Sequence, residues 1–219
     1  MKRNIKLRFG AGALLLALFV IYTASLTVVD LQPIGPQGSC VAYAAINKAV
    51  HELFGVHMIL YHITDWAGVV AIVIMFGFAV VGLIQWIKRK RILKVDSNLL
   101  ALGVFYLVVF GVFVFFEYHV INRRPVLING YLEASYPSST TMLAMCVLPT
   151  AMMQFRQYIR KIWLRNTVNV LCGIFTAFMV LGRLVCGVHW FTDILGGMIF
   201  SAAMILLYSA TMNGLKQSE

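Results

Sequence analysis

Residues 99–116 read LLALGVFYLVVFGVFVFF, 18 apolar, aromatic or glycine positions without a charge among them. A helix rises about 1.5 Å per residue, so a run of this length is long enough to cross the hydrocarbon core of a bilayer. The run belongs to a longer block, about 98–118, and five more blocks resemble it, at about 11–29, 63–87, 138–155, 167–187 and 190–212. Composition agrees: 61% of the 219 residues are hydrophobic and 12% are charged, against about 45–50% and about 25% in soluble domains. The sequence predicts an all-α polytopic membrane protein, a six-span helical bundle forming a single domain over 1–219. That length leaves no room for a separate soluble module.

The net charge of +10 would suggest nucleic acid in a soluble protein, but position assigns it to topology. A basic start, Lys2, Arg3, Lys6 and Arg8, precedes the first block. That block is longer than the apolar core of a signal peptide, which favours an uncleaved first span. With the N-terminus inside, the cytoplasmic side also receives Lys88, Arg89, Lys90, Arg91, Lys94, Arg156, Arg160, Lys161, Arg165 and Lys216. Fourteen of the 18 basic residues then lie on one side, as the positive-inside rule requires. Both termini are cytoplasmic in this reading, and no nucleic-acid partner is implied. A compact chain of this kind suggests a bacterial plasma membrane.

Four basic residues go against that bias: Lys48, Arg123, Arg124 and Arg183. The three arginines sit beside span ends, where they would hold an anionic ligand or pair with outside acids such as Glu117, Glu133 or Asp193. The segment between the first two spans differs from the rest. After the turn residues Gly35-Pro36-Gln37-Gly38, a mildly amphipathic run from Val41 to Phe54 is too polar to span and predicts an interfacial helix. His51, His57 and His62 are spaced by six and five, which does not put them on one helical face, so no metal site is expected. Cys40, Cys146, Cys172 and Cys186 show no CxxC spacing and read as ordinary thiols. Gly196-Gly197 with Ser201 suits close helix packing.

Three polar clusters fall at the outer span ends. One is Glu117-Tyr118-His119 leading to Arg123-Arg124-Pro125. The second is Tyr136-Pro137-Ser138-Ser139-Thr140-Thr141, whose proline and hydroxyls suit a helix start and an anion at its N-terminus. The third runs from Arg183 through Cys186-Gly187-Val188-His189-Trp190-Phe191-Thr192-Asp193. His189 and Asp193 are four apart and share a face if both lie on the sixth helix. An aspartate there can hold one imidazole nitrogen and leave the other free as nucleophile or base.

At these residues the chain resembles the type 2 phosphatidic acid phosphatase superfamily. Arg183-x5-His189-x3-Asp193 is similar to its third signature, Arg124-Pro125 to the end of its first, and Pro137-Ser138 to the start of its second. The resemblance covers roughly 60–212, most closely 117–197. It implies that His189 attacks phosphorus and forms a phosphohistidine, with Asp193 orienting it. It further implies that Arg124, Arg183 and the backbone around Ser138 and Ser139 hold the phosphoryl oxygens, with no metal or other cofactor.

Two positions depart from the pattern. The first-signature lysine falls on Glu117, and the second-signature histidine, the general acid for the leaving group, falls on Thr140; Ser139 also replaces a glycine. A positioned acid contributes about 10²–10⁴ in rate, so its loss needs an answer, and three remain open. In one, the leaving group is a phosphate, as in a lipid diphosphate, whose second ionisation near pH 6 needs little help. In another, His119 or another outside histidine replaces the acid. Or the chain binds lipid phosphates without turning them over. Glu117, His119 and Thr140 are therefore the candidates for an altered acid or site lining. The expectation is an integral membrane phosphatase of lipid phosphates or diphosphates, polyprenyl type favoured, with its site at the outer face among membrane lipids. The alternatives are a silent member that binds or transports lipid phosphates, or a lipid phosphoryl transferase.

Overall fold

The structure, a computed structural model, describes residues 2–218 and the side chains of 3–215. Seven helices follow in order: α1 (Lys2–Ser25), α2 (Ala44–Phe54), α3 (Met58–Arg89), α4 (Ser97–Tyr118), α5 (Ser139–Tyr158), α6 (Ile162–Val185) and α7 (Phe191–Ser218). The described residues form no strand, only isolated bridges such as Gln32 to Val41 and Arg123 to Ala134.

Five helices, α1, α3, α4, α6 and α7, have both the length and the hydropathy of a membrane span. α5 has the length, 20 residues, and a more polar sequence. Its place explains the difference, because it packs against α3, α4, α6 and α7. A helix enclosed by protein need not be apolar all round, provided its polar groups find partners. Thr150 Oγ1 donates to the Cys146 carbonyl at 2.7 Å, and Gln154 Nε2 donates to Tyr208 Oη at 2.6 Å. The sequence expectation of six apolar spans thus resolves into five plus one central, partly polar helix.

The most extensive packing joins α1 to α7. An aromatic cluster of Phe19, Phe116, Tyr136 and Phe200 fills the core where these helices meet α4 and the segment before α5. Large apolar side chains that stay exposed, such as Leu14, Ile21, Phe76, Leu107 and Leu171, form the perimeter that a bilayer would cover.

The alternation of the long helices gathers the end of α4, the start of α5, the end of α6 and the start of α7 at one end of the bundle. The basic clusters lie at the other, where an Arg8 to Ser209 side-chain bond ties α1 to α7. The side chains of Lys2 and Lys216, both counted in the charge asymmetry, lie outside the described residues. The amphipathic run after the first span is helical from Ala44, because Tyr43 adopts φ 49°. α2 is fastened to the start of α7 by its buried Asn47, which donates to Thr192 Oγ1 at 3.0 Å and accepts from the Thr192 N–H at 3.1 Å.

Candidate active site

The turn between α6 and α7 presents the candidate nucleophile. Gly187 has φ +68°, and a Cβ there would fall 1.9 Å from the Gly55 carbonyl oxygen. Only glycine fits both the backbone and the space. Trp190 precedes the first residue of α7, and its N–H donates to Asp193 Oδ2 at 2.9 Å. Asp193 therefore closes the first turn as the acid of a capping box does. His189 is not on that helix: it lies in the turn, two residues before Phe191. Helical spacing does not join the pair, and His189 Nδ1 stands 3.9 Å from Asp193 Oδ2, beyond hydrogen-bond distance.

A residue that spacing did not reveal fills the gap. Ser135 Oγ donates to Asp193 Oδ2 at 2.5 Å and lies 3.0 Å from His189 Nδ1. The Ser135 carbonyl lies 3.1 Å from the same nitrogen. With the hydroxyl hydrogen directed at Asp193, Nδ1 faces two acceptors, and the network assigns the imidazole proton to it. Nε2 keeps its lone pair and meets Arg124 Nη1 at 3.3 Å. Asn122 Nδ2 donates to Asp193 Oδ1 at 3.0 Å, so both carboxylate oxygens are engaged in a fully buried position.

Burial pushes the His189 pKa down to about 4; the charges of Arg124 and Arg183 act in the same direction and Asp193 against it. The imidazole is neutral at physiological pH, as a nucleophile requires. Linkage gives a prediction. An unfolded chain binds the proton near pH 6.5 and the folded one only near 4, so the stability owed to a neutral His189 is present in full above 6.5 and is lost as pH falls through that window. It amounts to about 3 kcal/mol. Thermal melts in detergent should show stability dropping from pH 7 to 4.5, with a shallower slope in His189→Gln.

Two buried arginines complete the cationic part. Arg183, in the last turn of α6, is 1% exposed. Its Nη2 donates to Asp65 Oδ1 at 2.8 Å and to Thr140 Oγ1 at 2.5 Å, while its Nε and Nη1 have no hydrogen-bond partner. Arg124 Nε pairs with Glu133 Oε2 at 3.1 Å. Both guanidinium groups lie over one ring, Tyr61 of α3, with centroid distances of 4.8 Å for Arg183 and 5.9 Å for Arg124. An aromatic face stabilises a cation there. The pairing with acids weighed from the sequence is thus realised at Glu133, and at Asp65 for the other arginine. Unpartnered donors on so buried a cation are the donors an incoming anion would use.

Two cavities meet at this point. The smaller, about 10 Å³, is lined by His189, Arg124, Ser135, Ser139, Glu117 and Phe113 among others. It has room for about one water. The larger, about 840 Å³, is an apolar groove between α3 and α4, floored by α5. It follows α3 from Ile72 to Trp86, about 21 Å at the helical rise, and reaches Ser139 and Thr140. Phe113 and Ser139 line both cavities.

The other candidate residues are placed as follows. Ser138 flanks the start of α5 and is fully buried; its Oγ accepts from the Thr141 N–H at 3.5 Å, and its own N–H donates to the Asp193 carbonyl at 3.1 Å. Of the serine pair it is Ser139 that faces the cavities. Glu117 lines the small cavity. His119 stacks on Phe115 at 4.3 Å, its Nδ1 lies 3.0 Å from the Phe115 carbonyl, and it lines neither cavity. Among the described residues, no group of three His, Cys, Asp or Glu side chains is arranged to hold a metal ion. Asn122, Ser135, Tyr61 and Asp65 were not singled out as site residues by the motifs. Asp65 alone carried a signal, as an acid near the end of a span.

Residues 69–216 match the PAP2 superfamily. No curated relative matches the chain. A crystal structure described as the first transmembrane PAP2-type phosphatidylglycerolphosphate phosphatase, from Bacillus subtilis, is similar in fold, with a TM-score of 0.58 and 21% identity over 94% of this chain and 96% of that one.

Proposed function

We propose that this chain, which belongs to the PAP2 superfamily, is an integral membrane phosphatase of lipid phosphates and diphosphates working through a phosphohistidine on His189. The observation that carries the reading is the state of that imidazole. It is buried, its Nδ1 proton is fixed by Ser135, and its unprotonated Nε2 accepts from Arg124 in a cavity that shares Phe113 and Ser139 with an apolar groove.

In the proposed reaction the lipid tail occupies the groove between α3 and α4. The phosphoryl group draws Arg124 off Nε2 and takes donors from Arg124, Arg183 and the Ser139 region. Nε2 then attacks phosphorus, and Asp193, through Ser135, stabilises the positive charge that develops on the ring. Catalysis of this kind rests mainly on position and charge. Thr140 cannot protonate an alkoxide usefully, and this favours substrates whose leaving group is itself a phosphate, as in a polyprenyl diphosphate. The charge asymmetry supports termini on the cytoplasmic side of a plasma membrane and a site on the outer side.

A second reading has its own observation. Thr140 occupies the acid position and is held by Arg183, which suits a silent member that binds or transports lipid phosphates; a lipid phosphoryl transferase is a further variant. Phosphate release by purified protein in detergent separates them. The substrates are polyprenyl diphosphate, polyprenyl monophosphate, phosphatidate and phosphatidylglycerol phosphate, with His189→Ala as the blank. Release above the blank, greatest on the diphosphate, supports the phosphatase. Tight binding of all four without release supports the binder, and release only with an added acceptor supports the transferase.

A further inference from the structure

The site holds a nucleophile and two cations, while the residue on α5 that faces Arg183, Thr140, cannot deliver a proton to a leaving alkoxide. The acids around the site can be compared by what already holds them. Asp193 is buried under donors from Ser135, Asn122 and Trp190. Asp65 is ion-paired to Arg183 and Glu133 to Arg124. Glu117 has no hydrogen bond or ion pair among the described residues, and its side chain lines the same small cavity as His189, Arg124 and Ser139.

Its position along α4 matters as much. Phe113 lines both cavities, and Glu117 follows it by four residues, on the same face of the helix and one turn nearer the site end. The oxygen that joins a tail in the groove to a phosphoryl group beside His189 has to pass this junction. A carboxyl group there borders the bond that breaks.

We propose that Glu117 is the proton donor to the leaving oxygen, an inference that rests on the phosphatase reading above. His189 Nε2 attacks phosphorus, the bond from phosphorus to the leaving oxygen breaks, and its electron pair takes the proton from the Glu117 carboxyl. The products are the phosphohistidine, a lipid alcohol and the Glu117 carboxylate. That carboxylate then takes a proton from the water that attacks phosphorus. The P–N bond breaks, its electron pair returns to Nε2, inorganic phosphate leaves, and Glu117 again carries its proton. The two departures from the family pattern thus compensate each other: an acid is gained on α4 where one is lost on α5.

The test uses two lipids with the same polyprenyl tail, a monophosphate and a diphosphate, in single turnover with protein in excess, reading the dephosphorylated lipid. Glu117→Gln should slow the monophosphate by about 10²–10⁴-fold and the diphosphate by less than about tenfold, because a departing phosphate needs little protonation. Glu117→Asp should recover part of the monophosphate rate. Glu117 is exposed and unbonded, so the glutamine variant keeps the fold. Equal losses on the two lipids, a glutamine variant as fast as wild type on the monophosphate, or a wild type that cleaves only the diphosphate would each overturn the role of Glu117 and leave the phosphatase reading standing. No cleavage of either lipid by wild type above His189→Ala would overturn both.

Discussion

Substitution of His189 by alanine is expected to lower phosphate release by more than about 10⁴-fold, while lipid phosphate still binds. Among the described residues the imidazole is the one buried nitrogen nucleophile lining the small cavity, and no neighbour there can take its place. Ser135 has its hydroxyl directed at Asp193, and the Ser139 hydroxyl has no hydrogen bond to a base among the described residues. Loss of a nucleophile from a unit of interdependent groups removes most of the unit's contribution at once. Binding is retained because Arg124 and Arg183 keep their supports, Tyr61, Glu133 and Asp65, none of which rests on the imidazole. The check is a pair of measurements on one preparation: phosphate release, and equilibrium binding of lipid phosphate.

Arg183→Ala should cost about 10²–10³ in kcat/KM, the scale seen when one donor to a developing charge is removed. Its Nε and Nη1 are buried without partners, so the resting protein bears the cost of a desolvated cation that an anion would relieve. Arg183→Lys should recover little. Contacts to Asp65, Thr140 and the Tyr61 face all use the planar guanidinium, and an ammonium group cannot make them together. Asp65 is half-exposed, so water replaces the lost arginine there and the fold survives. Steady-state kinetics on the preferred lipid, with a melt of each variant, separate loss of catalysis from loss of structure.

The helical membrane architecture was legible because it follows from long uncharged blocks, of which 99–116 is the clearest. α5 was legible in length but not in character. Thr150 and Gln154 make sense only once the helix is known to be enclosed, and enclosure is a property of the assembly rather than of one segment. At the site, Arg124, Arg183, Ser139, His189 and Asp193 lie in motifs, and folding brings them together. The link between His189 and Asp193 was misjudged in kind: spacing of four suggested one helical face, whereas Gly187 turns the chain and Ser135, 54 positions away from His189, forms the bridge. Tyr61 was hidden for the same reason, and Asp65 showed only as an acid at a span end, because no local pattern records that the start of α3 lies beneath the arginines. Glu117 looked like a defect in a signature until the cavity placed it beside the nucleophile.

The most direct test of the central claim is to stop the wild-type protein in mid-turnover on a polyprenyl diphosphate labelled in its terminal phosphate, quench in base, and map the label. The label is expected as a phosphoryl group on the peptide bearing His189, stable to base, lost in acid, and absent from His189→Ala. Phosphate released at full rate with no label on that peptide, or released equally by the alanine variant, would contradict the claim.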